Sequence, residues 1–521
     1  MSSLLSPNIY EPDTGITDLI EGQDNFIPSV PKGRGMNTKS WKQEAILRVI
    51  INYYELFVSK YFGKLPAYEY ESMIDWKSLK KTIKTIVNLE SDETAFIFNN
   101  SVVSVFKTSY FAPKVLTINS KHDSFDDFYD GSYCVYNKMI KNSLTRTGVQ
   151  DIIEDNYHIF KNMAKNKYTD DFEGKLMFTA GFGETGNAQA LAMNMNKGVS
   201  LIVDMDRKLI EKMVEDNFCN VMYEDIDSAL DMAIDAKRNN LAKTVGLVGN
   251  ASEILWLMID KGVIPNLLTD RTNAYNTLDG YFPSGYAYSD SLRIRRADPH
   301  HYKNLVNHTI MTHVKAMIQF QNRGSRVFEY GNKIRGKAYD RGLDNAFSID
   351  SYTTDYIYPV ISDVNNLNFK WFALSGDTED IFLIDDMLTS TFRDNPDLSR
   401  MIDLVNKVIF PKSMPSRNTK LNKELGLSIY SEINEMMRNE ELSAPVLANV
   451  SSFSDNASEE KFISEPSDVD INKLLEHYKG STMVSVDYYG NNQQFFKMTN
   501  KSLLLDGSKE AEQNIQTLVN F

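Results

Sequence analysis

The sequence predicts an α/β protein with a Rossmann-like domain built on a doubly wound parallel sheet, and two observations predict it. Between residues 158 and 355, short apolar runs of strand length alternate with longer segments of helical apolar spacing, which is the element order of parallel α/β sheets. Inside this region, the apolar run 176–178 leads into a Gly-x-Gly-x-x-Gly pattern at 181–186. Such a pattern between a strand and a helix is typical of dinucleotide-binding domains.

Apolar periodicity places the other elements along the chain. In the central region it predicts strands at 176–178, 199–203, 244–248, 267–269 and 327–330, and helices at 188–195, 207–216, 226–239, 251–261 and 302–321. It also predicts helices at 41–57, 76–89, 398–408 and 425–438, and strand-type runs at 95–106 and 115–118. Two further apolar runs, 369–374 and 381–383, flank Ser375-Gly376-Asp377.

Changes in composition divide the chain into four parts. Residues 1–37 are rich in Pro, Gly, Asp and Ser and are interpreted as an extended N-terminal arm. Residues 38–157 mix helices and strands, residues 158–355 form the Rossmann-like domain, and residues 356–521 form the last part. Within the last part, the Ser, Asp, Glu and Asn residues of 447–470 predict a polar surface loop.

Composition excludes several classes of protein. The chain has 521 residues, 42% of them hydrophobic, and a net charge of −14 without a local Lys/Arg cluster, so we expect no nucleic-acid partner. No secretory signal and no apolar run of membrane-spanning length is found, which predicts a cytoplasmic protein with no membrane partner. The two cysteines, Cys134 and Cys219, are too few for a disulfide framework and are expected to be buried free thiols.

Each glycine of the 181–186 pattern has a predicted task. Gly181 allows the tight turn, Gly183 lets the backbone approach a pyrophosphate, and Gly186 lets the helix pack on the strand, while the helix N-terminal amides face the anion. Asp204 lies 18 residues beyond Gly186, at the end of the next predicted strand, and would accept hydrogen bonds from a ribose. The alternative is an ordinary glycine-rich turn between a strand and a helix.

Polar clusters also follow the next two predicted strands, as Gly249-Asn250-Ala251 and as Asp270-Arg271-Thr272-Asn273. Carboxyl ends of parallel strands are where open α/β sheets bind ligands, so both clusters are expected beside the glycine loop. Ordinary turn and helix-capping chemistry would explain them equally well.

Motifs for metal binding or nucleophilic catalysis are not found. The seven histidines include no H-E-x-x-H and no His-x-His pair. Asp204 and Asp206 could be read as a metal-binding pair, but an acid at the end of the second strand suits a ribose better. The sequence has no Gly-x-Ser-x-Gly elbow, and neither cysteine lies in an activated setting.

Taken together, the motif blocks resemble the urocanase (urocanate hydratase) family, in family order and with family-like spacing over about residues 31–446. Besides the glycine loop and Val203-Asp204-Met205-Asp206, the resemblance rests on Gly249-Asn250-Ala251-Ser252-Glu253, Asp270-Arg271-Thr272-Asn273-Ala274-Tyr275, Gly280-Tyr281-Phe282-Pro283-Ser284-Gly285, Phe328-Glu329-Tyr330-Gly331-Asn332-Lys333 and Trp371-Phe372-Ala373-Leu374-Ser375-Gly376-Asp377.

The resemblance implies a fold and an activity. It implies a homodimer in which residues 38–157 and 356–521 form one mixed α/β core domain, with the Rossmann-like domain inserted between them. It also implies tightly held NAD, whose nicotinamide acts as an electrophile while water adds across a conjugated small-molecule substrate. The resemblance implies that NAD contacts Gly63, Gly186, Asp204, Asn250, Ala251, Thr272, Ala274, Tyr281 and Tyr330. The glycine loop adds Gly181, Gly183 and Thr185 as cofactor-binding candidates, and Arg271, which replaces a family glutamine, is a further candidate.

The sequence departs from the family where the chemistry is expected. The segment that carries the family's catalytic cysteine reads Met414-Pro415-Ser416-Arg417-Asn418-Thr419-Lys420, which places Thr419 at the cysteine position, or Asn418 if the register slips by one. Glu184 replaces a neutral residue of the glycine loop, and Lys370 replaces a family arginine.

These departures leave two hypotheses open. One is an active hydratase that uses NAD on a small conjugated acid other than urocanate, with Lys370 binding the carboxylate and Tyr61, Tyr275 or Thr419 moving protons. The other is a catalytically inactive NAD-binding paralogue with a binding or regulatory role. The retained residues Asn250, Thr272 and Tyr330 favour the first hypothesis, because they have no obvious role in folding. The joint loss of the family's cysteine, arginine and histidine favours the second.

Overall fold

The computed structural model describes residues 15–22, 25–61, 73–122, 143–167, 171–274, 276–330, 333–352, 355–356, 366–405, 414–454, 462–490 and 495–521. Among these residues, no helix is both long enough and apolar enough to cross a bilayer.

An eight-stranded mixed sheet joins strands from both halves of the chain, in the order β12-β11-β13-β15-β14-β3-β1-β2. Its strands are β1 (Glu93–Phe98), β2 (Ser101–Lys107), β3 (Val115–His122), β11 (Asn366–Ala373), β12 (Ser416–Asn422), β13 (Val446–Ser454), β14 (Met483–Gly490) and β15 (Phe495–Leu505). The parallel pairing of β3 with β14 joins the two halves. The expectation of a core domain formed by both parts of the chain is therefore confirmed.

A seven-stranded sheet lies between these two halves in sequence, in the order β10-β9-β8-β4-β5-β7-β6, and every strand pair in it is parallel. Its strands are β4 (Leu176–Ala180), β5 (Val199–Asp204), β6 (Val221–Tyr223), β7 (Lys243–Val248), β8 (Leu267–Asp270), β9 (Arg326–Glu329) and β10 (Asp350–Ser351). The predicted doubly wound Rossmann-like domain is confirmed.

Helices cover both sheets. Those of the N-terminal part are α1 (Gly15–Glu21), α2 (Trp41–Tyr61), α3 (Trp76–Asn88) and α4 (Val149–Lys167). Those of the Rossmann-like domain are α5 (Glu184–Met195), α6 (Arg207–Glu215), α7 (Ile226–Arg238), α8 (Ala251–Asp260), α9 (Tyr288–Ala297), α10 (Pro299–Asn322) and α11 (Ile334–Tyr339). Those of the C-terminal part are α12 (Thr378–Thr391), α13 (Pro396–Val405), α14 (Lys423–Arg438), α15 (Ile471–His477) and α16 (Lys509–Ile515).

Helix α4 connects the two sheets. It packs on α5 of the Rossmann-like domain and on β12 of the large sheet. Ile152, Ile153 and Phe160 of α4 lie in one core cluster with Met177 and Phe328 of the parallel strands, while its polar residues face β12. The face of α4 that contacts the large sheet is therefore the polar one.

Two sequence expectations need correction. Residues 447–454 do not belong to a surface loop, because they form most of β13, whose first five residues are buried. The arm of residues 1–37 is not wholly extended, since α1 lies within it and buries Ile16 and Leu19. The predicted strand run 95–106 is a hairpin of β1 and β2, whose turn residues Asn99 and Asn100 have φ of 47° and 64°, as two-residue hairpins require.

Candidate functional site

A cleft opens at the carboxyl ends of β4, β5, β7 and β8, where open α/β sheets bind ligands. It encloses about 200 Å³. Its lining residues are Gly181, Gly183, Val203, Asp204, Met205, Gly249, Asn250, Ala251, Arg271, Thr272, Asn273, Gly280, Tyr281 and Phe282. The structure thus brings together residues from all the sequence clusters that were expected at one edge of the sheet.

The three glycines of the loop differ in what surrounds them. Gly181 has φ +91°, and a Cβ there would lie 3.0 Å from the carbonyl carbon of Arg271. A Cβ on Gly186 would lie only 1.9 Å from the oxygen of Gly181, whereas a Cβ on Gly183 would meet nothing within 4 Å. Gly181 and Gly186 are therefore required by the packing of the chain, and Gly183 leaves open space in the cleft.

The N-terminus of α5 faces this open space. Gly183 is its N-cap and provides no side-chain hydrogen bond, so the first amides of the helix keep their capacity to donate to an anion. The structure describes the backbone of Glu184 and Thr185, but their side chains lie outside the described part of the chain.

The carboxylate of Asp204, at the end of β5, forms a hydrogen bond to the glycine loop. Its Oδ2 accepts a hydrogen bond from the Phe182 amide at 2.9 Å, and its Oδ1 accepts one from the Asp206 amide at 2.9 Å. Burial raises the pKa of Asp204, although these amide hydrogen bonds lower it. Each carboxylate oxygen has a second lone pair, so Asp204 can still accept a bond from a ligand hydroxyl.

The side chain of Asn250 forms hydrogen bonds to two backbone segments beside the cleft. Its Oδ1 caps α8 by accepting from the Ser252 amide at 3.0 Å, and its Nδ2 donates to the Phe282 carbonyl at 3.0 Å. The capping explanation for this residue is therefore correct, and Asn250 positions the wall of the cleft. Ala251 is the first residue of α8, and Ala274 is fully buried beside the cleft.

Arg271 places a cation in the cleft. Its Nη1 donates to the Tyr330 carbonyl at 2.8 Å, and the guanidinium lies 4.4 Å from the centre of the Tyr330 ring. The Tyr330 ring stacks on Tyr352 with centroids 3.8 Å apart, and its hydroxyl donates to the Tyr352 hydroxyl. This stack holds Arg271 in a fixed orientation, as cation–π contacts do.

Two other predicted cofactor residues form internal hydrogen bonds. The Thr272 hydroxyl donates to Asp270, and the buried Tyr281 hydroxyl shares a 2.6 Å hydrogen bond with His313 Nδ1. Burial raises the pKa of Tyr281 and lowers the pKa of His313. The Tyr281–His313 pair is thus neutral at physiological pH. Its hydrogen bond fixes the position of Tyr281, which lines the cleft.

A buried polar cluster surrounds Lys370 where α4 meets β11 and β12. Lys370 Nζ lies 2.6 Å from Asp151 Oδ1 and donates to the Thr145 carbonyl at 3.0 Å. Asp151 also accepts from Asn418 Nδ2 at 2.9 Å and from the Thr147 amide at 2.9 Å. The charge of Lys370 is therefore compensated by a carboxylate that the sequence interpretation did not identify.

Thr419 and Lys370 lie on opposite faces of the large sheet. In the β11–β12 pair, Lys370 is opposite Asn418, whereas Thr419 is opposite Phe369, and side chains alternate between the faces of a strand. Asn418, the alternative register for the family's cysteine, thus shares the face of Lys370. Among the other predicted residues, Gly63, Tyr275 and the side chain of Tyr61 lie outside the described residues.

Comparison with protein families accounts for nearly the whole chain. Residues 29–144 match the urocanase N-terminal domain, residues 148–356 the urocanase Rossmann-like domain, and residues 364–521 the urocanase C-terminal domain. The chain belongs to the urocanase family. The match supports a urocanase-like hydratase, a class of hydro-lyase, at the level of the family. The matched region extends to residue 521, whereas the motifs that indicate the resemblance end at about residue 446.

Several residues of the urocanase-like site could not be found from sequence. Asp151 and Asn156 lie in the first turns of an amphipathic helix, and His313 lies in the long helix α10. Tyr352 Oη donates to Asn156 Oδ1 at 2.6 Å, a contact that links the Tyr330 stack to α4. Only the unusual number of polar residues in the first two turns of α4 signals that this helix faces a polar partner.

Proposed function

We propose that this urocanase family member holds NAD in the cleft and catalyses hydration of a small conjugated acid other than urocanate. The observation that supports it most is the combination of the open α5 N-terminus at Gly183 with the fixed cation of Arg271 on the same cleft. Both attract a pyrophosphate, the first through helix amides and the second through charge-assisted hydrogen bonds.

The residues present fit a dinucleotide. Gly183 leaves space for a pyrophosphate, Arg271 would pair with its charge, and Asp204 would accept from a ribose hydroxyl. The cavity of about 200 Å³ is smaller than the roughly 300–1,000 Å³ of whole-ligand sites, so it would hold the middle of the cofactor. NAD, when bound, would supply an electrophilic nicotinamide ring.

The polar cluster around Lys370 is the proposed substrate end. Three buried atoms close to the Lys370–Asp151 pair have no hydrogen-bond partner among the described residues, namely Asn418 Oδ1, Gln150 Oε1 and Thr147 Oγ1. An unsatisfied buried polar atom costs about 1–3 kcal/mol, so these atoms would gain from a polar ligand. Lys370 would then orient an acidic substrate, while Asp151 limits the net positive charge at that end.

The same cluster also supports the alternative of an inactive NAD-binding paralogue. Lys370 already has a carboxylate partner, Asp151, at 2.6 Å, so it needs no substrate carboxylate for charge compensation. Asn418 and Thr419 provide no thiolate at the position of the family's catalytic cysteine. In this alternative the nucleotide cleft keeps its role and the Lys370 cluster only joins the domains. Homodimer formation is proposed in both cases from family membership alone.

Three experiments test the proposal. Denaturing the purified protein and identifying the released small molecule by mass spectrometry should yield NAD in near-equal molar amount. If no dinucleotide is released and none binds on titration, both candidate functions are removed.

Urocanate turnover, followed by loss of its ultraviolet absorbance, should be absent. Brisk turnover would show that the substrate has not changed. Turnover of other conjugated acids by the NAD-containing protein separates the active hydratase from the inactive paralogue.

A further inference from the structure

A second cavity, of about 570 Å³, lies between α15 and the large sheet. It is lined by Ser452, Ser454, Ile463, Asp468, Asp470, Lys473, Leu474, His477, Tyr478, Tyr488, Lys497, Thr499 and Phe521. In the strand pairings, Lys370 is opposite Asn449 and Ser454 is opposite Lys497, so the lining residues of β13 and β15 occupy the face of the sheet that Lys370 does not. The cavity is therefore separate from the nucleotide cleft and from the Lys370 cluster.

Several basic side chains lie in or beside this cavity. Lys473 and His477 of α15 and Lys497 of β15 line it, and Lys501, four residues further along β15, lies on the same face as Lys497. The pKa of His477 is lowered by burial and by the three lysines Lys501, Lys497 and Lys473. The same lysines that make a positive charge on His477 unfavourable would attract an anion to the cavity.

The two carboxylates at the cavity are bound to backbone amides. Asp470 caps α15 by accepting from the Lys473 amide at 3.1 Å. Asp468 accepts from the amides of Ser464 and Glu465 and from the Ser464 hydroxyl. Both carboxylates therefore satisfy the backbone of the loop that leads into α15, and neither shares an ion pair with Lys473 among the described residues.

Lys501 places an ammonium group beside the cavity. Its side chain is buried, its Nζ donates to the Thr517 carbonyl at 3.2 Å, and it lies 5.1 Å and 4.9 Å from the ring centres of Tyr478 and Phe521. Tyr478, Phe521 and Tyr488 also form walls of the cavity. Such walls provide flat apolar surfaces for a ring, and the hydroxyls of Ser452, Ser454 and Thr499 add hydrogen-bond donors at the rim.

We propose that this cavity is a second ligand site, which binds a small organic anion with a planar ring. The ring packs between the aromatic walls, and the anionic group pairs with Lys473 and Lys497. The volume lies within the range of small-molecule pockets, and the few charged groups at one end would fix the orientation of the ligand. The proposal does not depend on NAD binding or on hydratase activity.

Titration of the full chain with sodium benzoate at constant ionic strength tests this proposal. Benzoate has the ring and the charge, benzyl alcohol has only the ring, and acetate has only the charge. By calorimetry or ligand-observed NMR, we expect benzoate to bind at least about tenfold more tightly than either control compound. Equal affinity for benzoate and benzyl alcohol would overturn the proposal.

Matched variants locate the binding. The double variant Lys473→Gln/Lys497→Gln should weaken benzoate binding about tenfold or more, because it removes both charge-assisted contacts. Lys479→Gln removes a lysine just beyond α15 that pairs with Glu476 and is not part of the cavity, so it should leave the affinity unchanged. Circular dichroism should show that both variants fold, since Lys473 and Lys479 are exposed and Lys497 is half-buried. Unchanged binding in the double variant would exclude the cavity as the site.

Discussion

Lys370 of β11 forms a buried ion pair with Asp151 of α4, with 2.6 Å between Nζ and Oδ1, and both side chains are almost fully inaccessible to solvent. The pair joins the large sheet to the helix that also packs on the Rossmann-like domain. A charged contact at this junction fixes how the two parts of the chain meet, because a buried charge without its partner is strongly unfavourable.

Replacing one partner of this pair should destabilise the protein more than replacing both. Asp151→Asn leaves Lys370 buried and uncompensated, and we expect a loss of about 3–5 kcal/mol in the free energy of unfolding. Asp151→Asn/Lys370→Met removes both charges but keeps an acceptor for Asn418 and the Thr147 amide, so it should recover most of that loss. Denaturant unfolding measures the free energy of unfolding of the parent, the single variant and the double variant. Asp92→Asn, which breaks the exposed pair with Lys107, is the control and should have no measurable effect.

The glycine loop allows a prediction that separates folding from binding. A Cβ on Gly186 would collide with the Gly181 oxygen at 1.9 Å, so Gly186→Ala should lower the melting temperature and the yield of folded protein. Gly183 has φ −75° and open space around it, so Gly183→Ala should fold normally. Its added methyl group would enter the space proposed for the pyrophosphate, and NAD content per chain should fall. Normal NAD content in folded Gly183→Ala would contradict the proposed position of the cofactor.

The parts of the site that sequence could predict are local ones. The glycine loop, Asp204 and Asn250 each lie at or just after the end of a strand, so apolar runs and turn chemistry are enough to place them at one sheet edge. The Lys370–Asp151 pair spans 219 residues of sequence, and no periodicity reports a contact of that length. The same holds for the Tyr330–Tyr352–Asn156 chain of hydroxyl and amide groups.

Strand β13 shows why a polar pattern in the sequence does not by itself predict a surface loop. Asn449 is fully buried, yet its Nδ2 donates to the Lys501 carbonyl and to the Ser502 hydroxyl. Ser451 donates to the side chains of Asn449 and Asn500. A strand whose polar side chains are satisfied by a neighbouring strand can be buried without an apolar pattern, and the neighbour, β15, begins 41 residues after β13 ends.

Cys219 should be chemically inert in the folded protein. It is a buried free thiol, as the sequence predicted, and burial raises its pKa to about 11. Because the thiolate is the reactive form, iodoacetamide at pH 8 should label Cys219 only after unfolding in guanidinium chloride. Peptide mass spectrometry follows this site separately from Cys134, which lies outside the described residues. Rapid labelling of Cys219 in the native protein would show that the segment between α6 and β6 opens readily.

The Lys501 ammonium should make stability depend on pH in the alkaline range. Burial lowers its pKa from 10.5 to about 8, so between these pH values the unfolded chain binds more protons than the folded one. The free energy of unfolding contributed by this group therefore rises as pH increases from about 8 to 10.5, and the desolvation cost is fully present below pH 8.

Lys501→Met should remove this pH dependence. The variant should be more stable than the parent at pH 7, by about 1 kcal/mol once solvent screening is allowed for, and the difference should shrink as pH approaches 10.5. The Tyr478 and Phe521 rings favour the charged form and work against the shift, which is why the expected gain is small. Urea unfolding at several pH values measures it, with Lys479→Met as the exposed control. A difference between parent and Lys501→Met that stays constant from pH 7 to 10.5 would show that the ammonium remains charged in the folded protein and that its partners compensate for burial.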